Sequence, residues 1–297
     1  MHLLQLPERN YMMITQLIKR NLLVFFRDKS SVFFSLLSVF IIIGLYALFL
    51  GDVMESGLEY LGENTQYIIS TWIMAGILSV TTITTCLGAL GIMVEDRAKS
   101  TLKDFTVSPI RRSSITASYI LSAFIISVIM SLIALILAMI YIVSRGGEMY
   151  SAAELIRILG VILLSVLSNG SIILLIVVFF KSLNAYSVAS TIIGTIIGFL
   201  MGIYIPVGQL PSSVQTFIKF FPPSHSAALF RDVMMNNALN NTFLGAPTQT
   251  LQSFREFMGI RLPIGNISND TLLSISILIG TAIVFFILSV LKMSRQN

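Results

Sequence analysis

The chain has 297 residues, of which 55% are hydrophobic and 11% charged, with a mean hydropathy of +0.88 and a net charge of +5. Soluble domains carry about 25% charged residues, so this composition excludes one and points to an integral membrane protein, whose basic excess reflects cytoplasmic loops rather than a nucleic-acid surface. One cysteine, Cys86, excludes an intrachain disulfide, and two distant histidines with no paired-cysteine spacing offer no structural metal site.

The first predicted element is an amphipathic helix over 10–29. Tyr11, Ile14, Ile18, Leu22 and Phe25 recur at helical spacing, with Gln16, Lys19, Arg20 and Arg27 elsewhere on the wheel. This reads as an interfacial helix on the inner membrane surface, either as an anchor or as a contact for a cytoplasmic partner. Six apolar segments follow, at roughly 31–50, 68–92, 116–143, 156–180, 185–205 and 271–291. Each approaches the ~20 residues that cross a bilayer as a helix. The expected fold class is an all-α integral membrane protein, a single transmembrane domain over 1–297.

The second span carries Ser79, Thr81, Thr82, Thr84 and Thr85, and the fourth Ser165, Ser168, Asn169 and Ser171. Hydroxyls in helices bond their own backbone one turn back. The alternative is a substrate path, with Ser79, Thr82 and Thr85 as candidates. Cys86 sits in an apolar run and reads as a packing residue. Gly194, Gly198 and Gly202 lie four apart on the fifth span, which suits close helix packing within a subunit or between subunits. No acid or base falls mid-span, so an ion relay has no residue to carry it.

Pro206 ends the fifth span and opens a long outer segment, 206–270. "QLPSSVQTFIKFF" predicts a short helix capped by Ser212 or Ser213, stopped by Pro222 and Pro223. "SHSAALFRDVMM" predicts a second with Ser224 as cap. Each is too short to span, so they read as re-entrant or interfacial helices. The two termini and the segment around Arg97, Lys99, Lys103, Arg111 and Arg112 hold most of the lysine and arginine. Arg145, Arg157, Lys219, Arg231, Arg255 and Arg261 fall on the opposite side. The asymmetry predicts cytoplasmic termini.

The loop at 93–115 is then cytoplasmic. Thr101-x-x-Asp104 fits a capping box for a helix of about two turns. Pro109 disfavours helix at Ser108, which can cap the next one. Leu102 and Phe105 share a face of this short helix, which needs something to pack on: its own protein, the membrane surface, or a cytoplasmic partner.

"STLKDFTVSP", with Glu95 upstream, resembles the cytoplasmic loop of type-2 ATP-binding-cassette exporter permeases, whose pattern there is G-T-L-E-x-L-x-x-[ST]-P. Thr101, Leu102, Ser108 and Pro109 match; Ser100, Lys103 and Phe105 depart. "IPVGQLP" and "FPPSHSAALFR" resemble the family's P-x-x-x-L-P and P-[LP]-[ST]-[HY]-x-x-x-x-x-R segment, and "KRNLLVFFRDKSS" its basic helix before the first span. The resemblance implies a permease subunit in the bacterial cytoplasmic membrane, working as a dimer, most simply a homodimer, with a separate ATPase subunit. The sequence has no G-x-x-x-x-G-K-[ST] loop, so ATP and Mg are expected on that partner and no cofactor on this chain. The loop, through Glu95, Thr101, Leu102, Asp104, Phe105 and Pro109, becomes a coupling helix, and spans one, two and five line the path. Spans without mid-membrane charge suit an amphipathic or lipid-like cargo: a drug, peptide toxin or glycolipid. Two other readings stay open, a permease-like sensor without flux and a membrane enzyme using His225.

Overall fold

Apolar runs in lipid satisfy their backbone hydrogen bonds internally, and helices dominate this computed structural model. It describes residues 5–46, 48, 51–99, 112–265 and 270–295, and among these every regular element is a helix. In chain order they are α1 (Gln5–Arg27), α2 (Lys29–Leu45), α3 (Gly51–Gly57), a 3-10 segment (Glu59–Asn64), α4 (Thr65–Ala98), α5 (Arg112–Ser144), α6 (Ala152–Val178) and α7 (Leu183–Leu200). A 3-10 turn (Val207–Gln209), α8 (Ser212–Phe220), α9 (Pro222–Met234), α10 (Asn236–Thr242), α11 (Thr248–Phe257) and α12 (Asp270–Arg295) complete the chain.

Five helices, α4, α5, α6, α7 and α12, are long and apolar enough to cross a membrane. They correspond to the second through sixth predicted spans. Of the span expected over 31–50 the structure describes α2 to Leu45 and helical positions at Tyr46 and Leu48; residues 47, 49 and 50 lie outside the described residues. At 17 residues, α2 is shorter than the ~20 of a full span.

Helix α4 has 34 residues. At 1.5 Å per residue it is about 51 Å long, well beyond a hydrocarbon core of about 30 Å. Glu95, Asp96 and Arg97 therefore belong to its last turn, not to a loop that begins at 93. Charged side chains are compatible with helix once the chain has left the apolar layer. The predicted helix with Thr101, Leu102, Asp104 and Phe105, and the turn at Ser108 and Pro109, lie outside the described residues.

Local chemistry sets several ends. Ser151 caps α6 in a full capping box: its Oγ accepts from Glu154 N at 3.3 Å, and Ser151 N donates to Glu154 Oε2 at 2.8 Å. The caps expected of Ser212 and Ser224 are not used. Pro211 and Phe221 take those positions, and Pro222 and Pro223 occupy the first turn of α9, where a missing N–H costs nothing. Freed from capping, Ser224 Oγ donates to the Leu200 carbonyl at 2.9 Å.

The centre of the bundle is α4, packed against α2, α5, α6, α7 and α9. Helix α9 is interior too, wedged against α4, α6 and α12, with Ser224, His225, Ser226 and Arg231 all buried. A helix with this many polar residues survives there because each finds a partner inside the protein. Helix α1 docks its apolar face on the protein through buried Phe25 and Asn21, against α4 and α5.

Candidate functional site

Burial differs sharply between two neighbouring helices. In α4, 83% of the apolar stretch is buried; in α7 only 17% is. Between them and α2 runs an open groove of about 560 Å³. Ser35 of α2, Thr84 of α4, and Ser187, Ser190, Thr191 and Thr195 of α7 put hydroxyls along it, among Leu37, Ile41 and Leu87. Ser187, Thr191 and Thr195 follow one helical row. Thr191 Oγ1 donates to Ser187 O at 3.0 Å and Thr195 Oγ1 to Thr191 O at 2.9 Å. Each proton is satisfied one turn back while the oxygen faces the groove as an acceptor. The outcome is a weakly polar strip in which the two threonine donors are satisfied within α7.

Tyr186 fixes the first turn of α7. Its hydroxyl donates to the Leu87 carbonyl of α4, and a Cβ at Gly91 would come within 3.0 Å of its ring. At the other end Tyr46 Oη donates to the Ile203 carbonyl at 2.9 Å, tying the end of α2 to the turn after α7.

The sequence candidates divide between this groove and the interior. Ser79, Thr82 and Thr85 are buried toward the inside of the bundle; Thr84 is the hydroxyl of that run that reaches the groove. Thr82 Oγ1 donates to Ser79 O at 2.7 Å and accepts from Asn169 Nδ2 at 2.8 Å. Ser79 Oγ donates to Ser226 Oγ at 2.9 Å, which donates to Ser165 Oγ at 2.6 Å. Thr85 Oγ1 donates to Thr81 O at 2.6 Å. These groups join α4, α6 and α9, and Cys86 is buried beside Ser127, whose Oγ donates to its Sγ at 3.1 Å.

The three glycines have three roles. A Cβ at Gly194 would meet nothing within 4 Å, since the residue faces the groove. At Gly198 it would sit 2.5 Å from the Tyr204 ring. Gly202, at φ +62, ends α7 with Ile203 N donating to Gly198 O and Gly202 N to Phe199 O, both at 3.0 Å. That is the left-handed glycine stop of a Schellman motif.

A group missed by sequence reading sits below that stop. Arg231 is 1% exposed. Its Nη2 donates to Met201 O at 3.1 Å and Gly202 O at 2.7 Å, and its Nη1 to Gly259 O at 3.3 Å. Helix α11 also ends on a left-handed glycine, Gly259 at φ +68. One guanidinium thus caps the negative ends of two helices. It also lies over the Trp72 ring at 4.9 Å, while Trp72 Nε1 donates to Met258 O at 2.7 Å. The FPPSHSAALFR resemblance included this arginine on a short helix, but its burial and its three carbonyl partners depend on residues elsewhere in the chain.

At the opposite end of α4 the engaged acid is Asp96. Arg20 of α1 forms a two-pronged ion pair with it, Nη2 to Oδ1 at 2.9 Å and Nη1 to Oδ2, and Tyr119 Oη of α5 donates to Oδ2 at 2.5 Å. The carboxylate bond raises the Arg20 pKa above its ordinary value. Asn21 Nδ2 donates to Ser122 Oγ at 3.2 Å beside it. Glu95 faces outward and pairs with Lys99 at 2.5 Å. The last turn of α4 is therefore clamped to α1 and α5 through Asp96.

His225 is buried, with Nε2 2.9 Å from Lys219 O and Nδ1 3.0 Å from Ser274 Oγ. The carbonyl can only accept, so Nε2 carries a proton; a neutral ring then accepts from Ser274. Ser224 and Ser226 bond elsewhere. The histidine joins α9 to α12, and neither adjacent serine is engaged by it as a nucleophile.

Comparison with curated proteins finds no match. The sequence model of the ABC-2 family transporter protein matches residues 56–291, most of the chain, from α3 into α12. Membership implies association with an ATP-binding-cassette ATPase. With a match over most of its length and five helices apolar and long enough to cross a membrane, the chain belongs to the ABC-2 transporter family, as a multi-pass membrane component of an ABC transporter.

Proposed function

We propose that the chain is the permease half of an ATP-driven exporter in a bacterial cytoplasmic membrane. It works as a homodimer of single-domain subunits, with α2 as the first of six spans and both termini cytoplasmic. The groove between α2, α4 and α7 is the subunit's half of the path, and its cargo is amphipathic or lipid-like. The carrying observation is the hydroxyl row on the sparsely covered helix α7. Acceptor oxygens set in an apolar wall suit a ligand with both kinds of surface. The partner ATPase holds ATP and Mg and docks on the coupling helix through Leu102 and Phe105, with Glu95, Thr101, Asp104 and Pro109 shaping that segment. Drawing two such helices together tilts α4, and the Arg20–Asp96–Tyr119 cluster carries the tilt to α1 and α5, a rigid-body switch.

The test is ATP-dependent uptake of a fluorescent short-chain lipid and of a lipophilic dye by inverted vesicles containing the permease and its ATPase. Wild type should accumulate at least one of them. Gly194→Leu, which fills the groove without a clash, should abolish uptake while ATPase binding persists. Leu102→Asp with Phe105→Asp should lose the ATPase subunit. Normal uptake by all three proteins refutes the assignment of path and handle.

A further inference from the structure

A second cavity, of about 570 Å³, opens between α6, α9 and α12, away from the groove. Its wall changes character in one direction on three helices. On α6, Glu154 and Arg157 come before Gly160, Val161 and Leu164. On α12, Thr271 comes before Ile275. On α9, which runs the opposite way, Leu229 comes before Asp232, with Val233 beside it and Asn236 of α10 beyond. One end of the cavity is charged and the other apolar. Arg255 of α11 closes the charged end.

The charges there are unevenly matched. Asp232 is already satisfied, accepting from Arg255 Nη1 at 3.3 Å and Thr271 Oγ1 at 3.1 Å. Glu154 Oε2 accepts from the backbone N–H and hydroxyl of Ser151. Among the described residues Arg157 has no carboxylate partner. Arg255 Nε is buried without a hydrogen-bond acceptor, and burial lowers the Arg255 pKa. The exposed Arg157 guanidinium, without a carboxylate partner among the described residues, therefore lies at the end of a cavity whose far wall is hydrocarbon, with Arg255 beside it. A phosphodiester on an acyl chain has that same polarity, and arginine is the side chain that binds it through several donors at once. Basic pockets between membrane helices take lipid headgroups on this principle.

We propose that this cavity is a binding site for a membrane phospholipid. The phosphodiester sits at Arg157 and Arg255, and one acyl chain lies along Gly160, Leu164 and Ile275. The site lies at the end of the bundle that bears α8 to α11. It is independent of the transport reading, since occupancy needs neither ATP nor the ATPase.

The experiment titrates the purified full-length chain in detergent with dioleoyl phosphatidylglycerol and counts bound lipid by native mass spectrometry. Two variants probe the two ends. Arg157→Gln removes the exposed cation. Gly160→Leu fills the apolar end, where a Cβ meets nothing within 4 Å, so the fold is retained; emission of the sole tryptophan, Trp72, checks it. Each variant should weaken the tightest lipid-binding step about ten-fold, the loss of one charge-assisted contact or its equivalent. Arg145→Gln, outside the cavity, should leave it unchanged. Equal lipid binding by wild type, Arg157→Gln and Gly160→Leu overturns the proposal. So does displacement of the lipid by excess inorganic phosphate with Gly160→Leu unaffected, which would make this a soluble-anion site.

Discussion

Truncating Arg231 to alanine removes a buried cation from between two helix ends. It leaves the Met201, Gly202 and Gly259 carbonyls without this donor and takes away the group stacked over Trp72. Hydrogen bonds to a charged group contribute about 1.5–3 kcal/mol each, and a desolvated cation–π contact about 2 kcal/mol. Against these stands the dehydration of a guanidinium, which costs several kcal/mol even after relaxation. Breaking one side of a buried charged contact typically costs about 3–5 kcal/mol. The orphaned partners here are neutral carbonyls rather than a second charge, so the lower end, about 3 kcal/mol, is expected. At roughly 2–4 °C per kcal/mol, thermal unfolding should shift down by about 6–12 °C. Trp72 is the single tryptophan, so its emission should report the change directly. Arg231→Lys keeps a charge but cannot reach both helix ends with a planar fork, and should fall between the two. An alanine variant that unfolds within about 2 °C of wild type would refute the capping argument.

Other expectations concern the clamp and the glycine row. Asp96→Asn preserves size but removes the charge opposite Arg20, so α1 should undock more often; tryptic cleavage at Lys19 and Arg20 should accelerate several-fold, and an unchanged rate would deny the clamp. Gly198→Leu drives a side chain into the Tyr204 ring, whose edge lies 2.5 Å from the Cβ position, and should lower the unfolding temperature. Gly194→Leu, into open space, should leave that temperature near wild type even where uptake is lost. Equal unfolding temperatures for the two leucine variants would contradict the separate roles assigned to them.

Hydropathy and charge were enough to identify a helical membrane protein and, among six predicted spans, the five long ones, and short motifs carried the resemblance to the family, because each is a sum over neighbouring residues or a short contiguous pattern. Local capping was legible as far as it depended on nearby groups. The prolines at 222 and 223 interrupt α8 and start α9 as their missing N–H groups require. Ser224, read as a cap from the same stretch, donates instead to the Leu200 carbonyl, 24 residues away. The hydroxyl run of α4 looked uniform in sequence, yet Thr84 reaches the groove while Ser79, Thr82 and Thr85 turn inward. Likewise the equal spacing of Gly194, Gly198 and Gly202 hid three different environments. Asp96 and Arg231 differ most from a sequence-based expectation. A charge in a chain of this kind reads as solvated, and only the tertiary structure supplies what makes burial affordable: Arg20 lies 76 residues from Asp96, and the carbonyls that hold Arg231 come from two helix ends 28 to 30 residues away. Amino-acid order determined which segments enter the membrane. Packing decided which polar groups could follow them, because a buried hydrogen bond needs both partners in place at once.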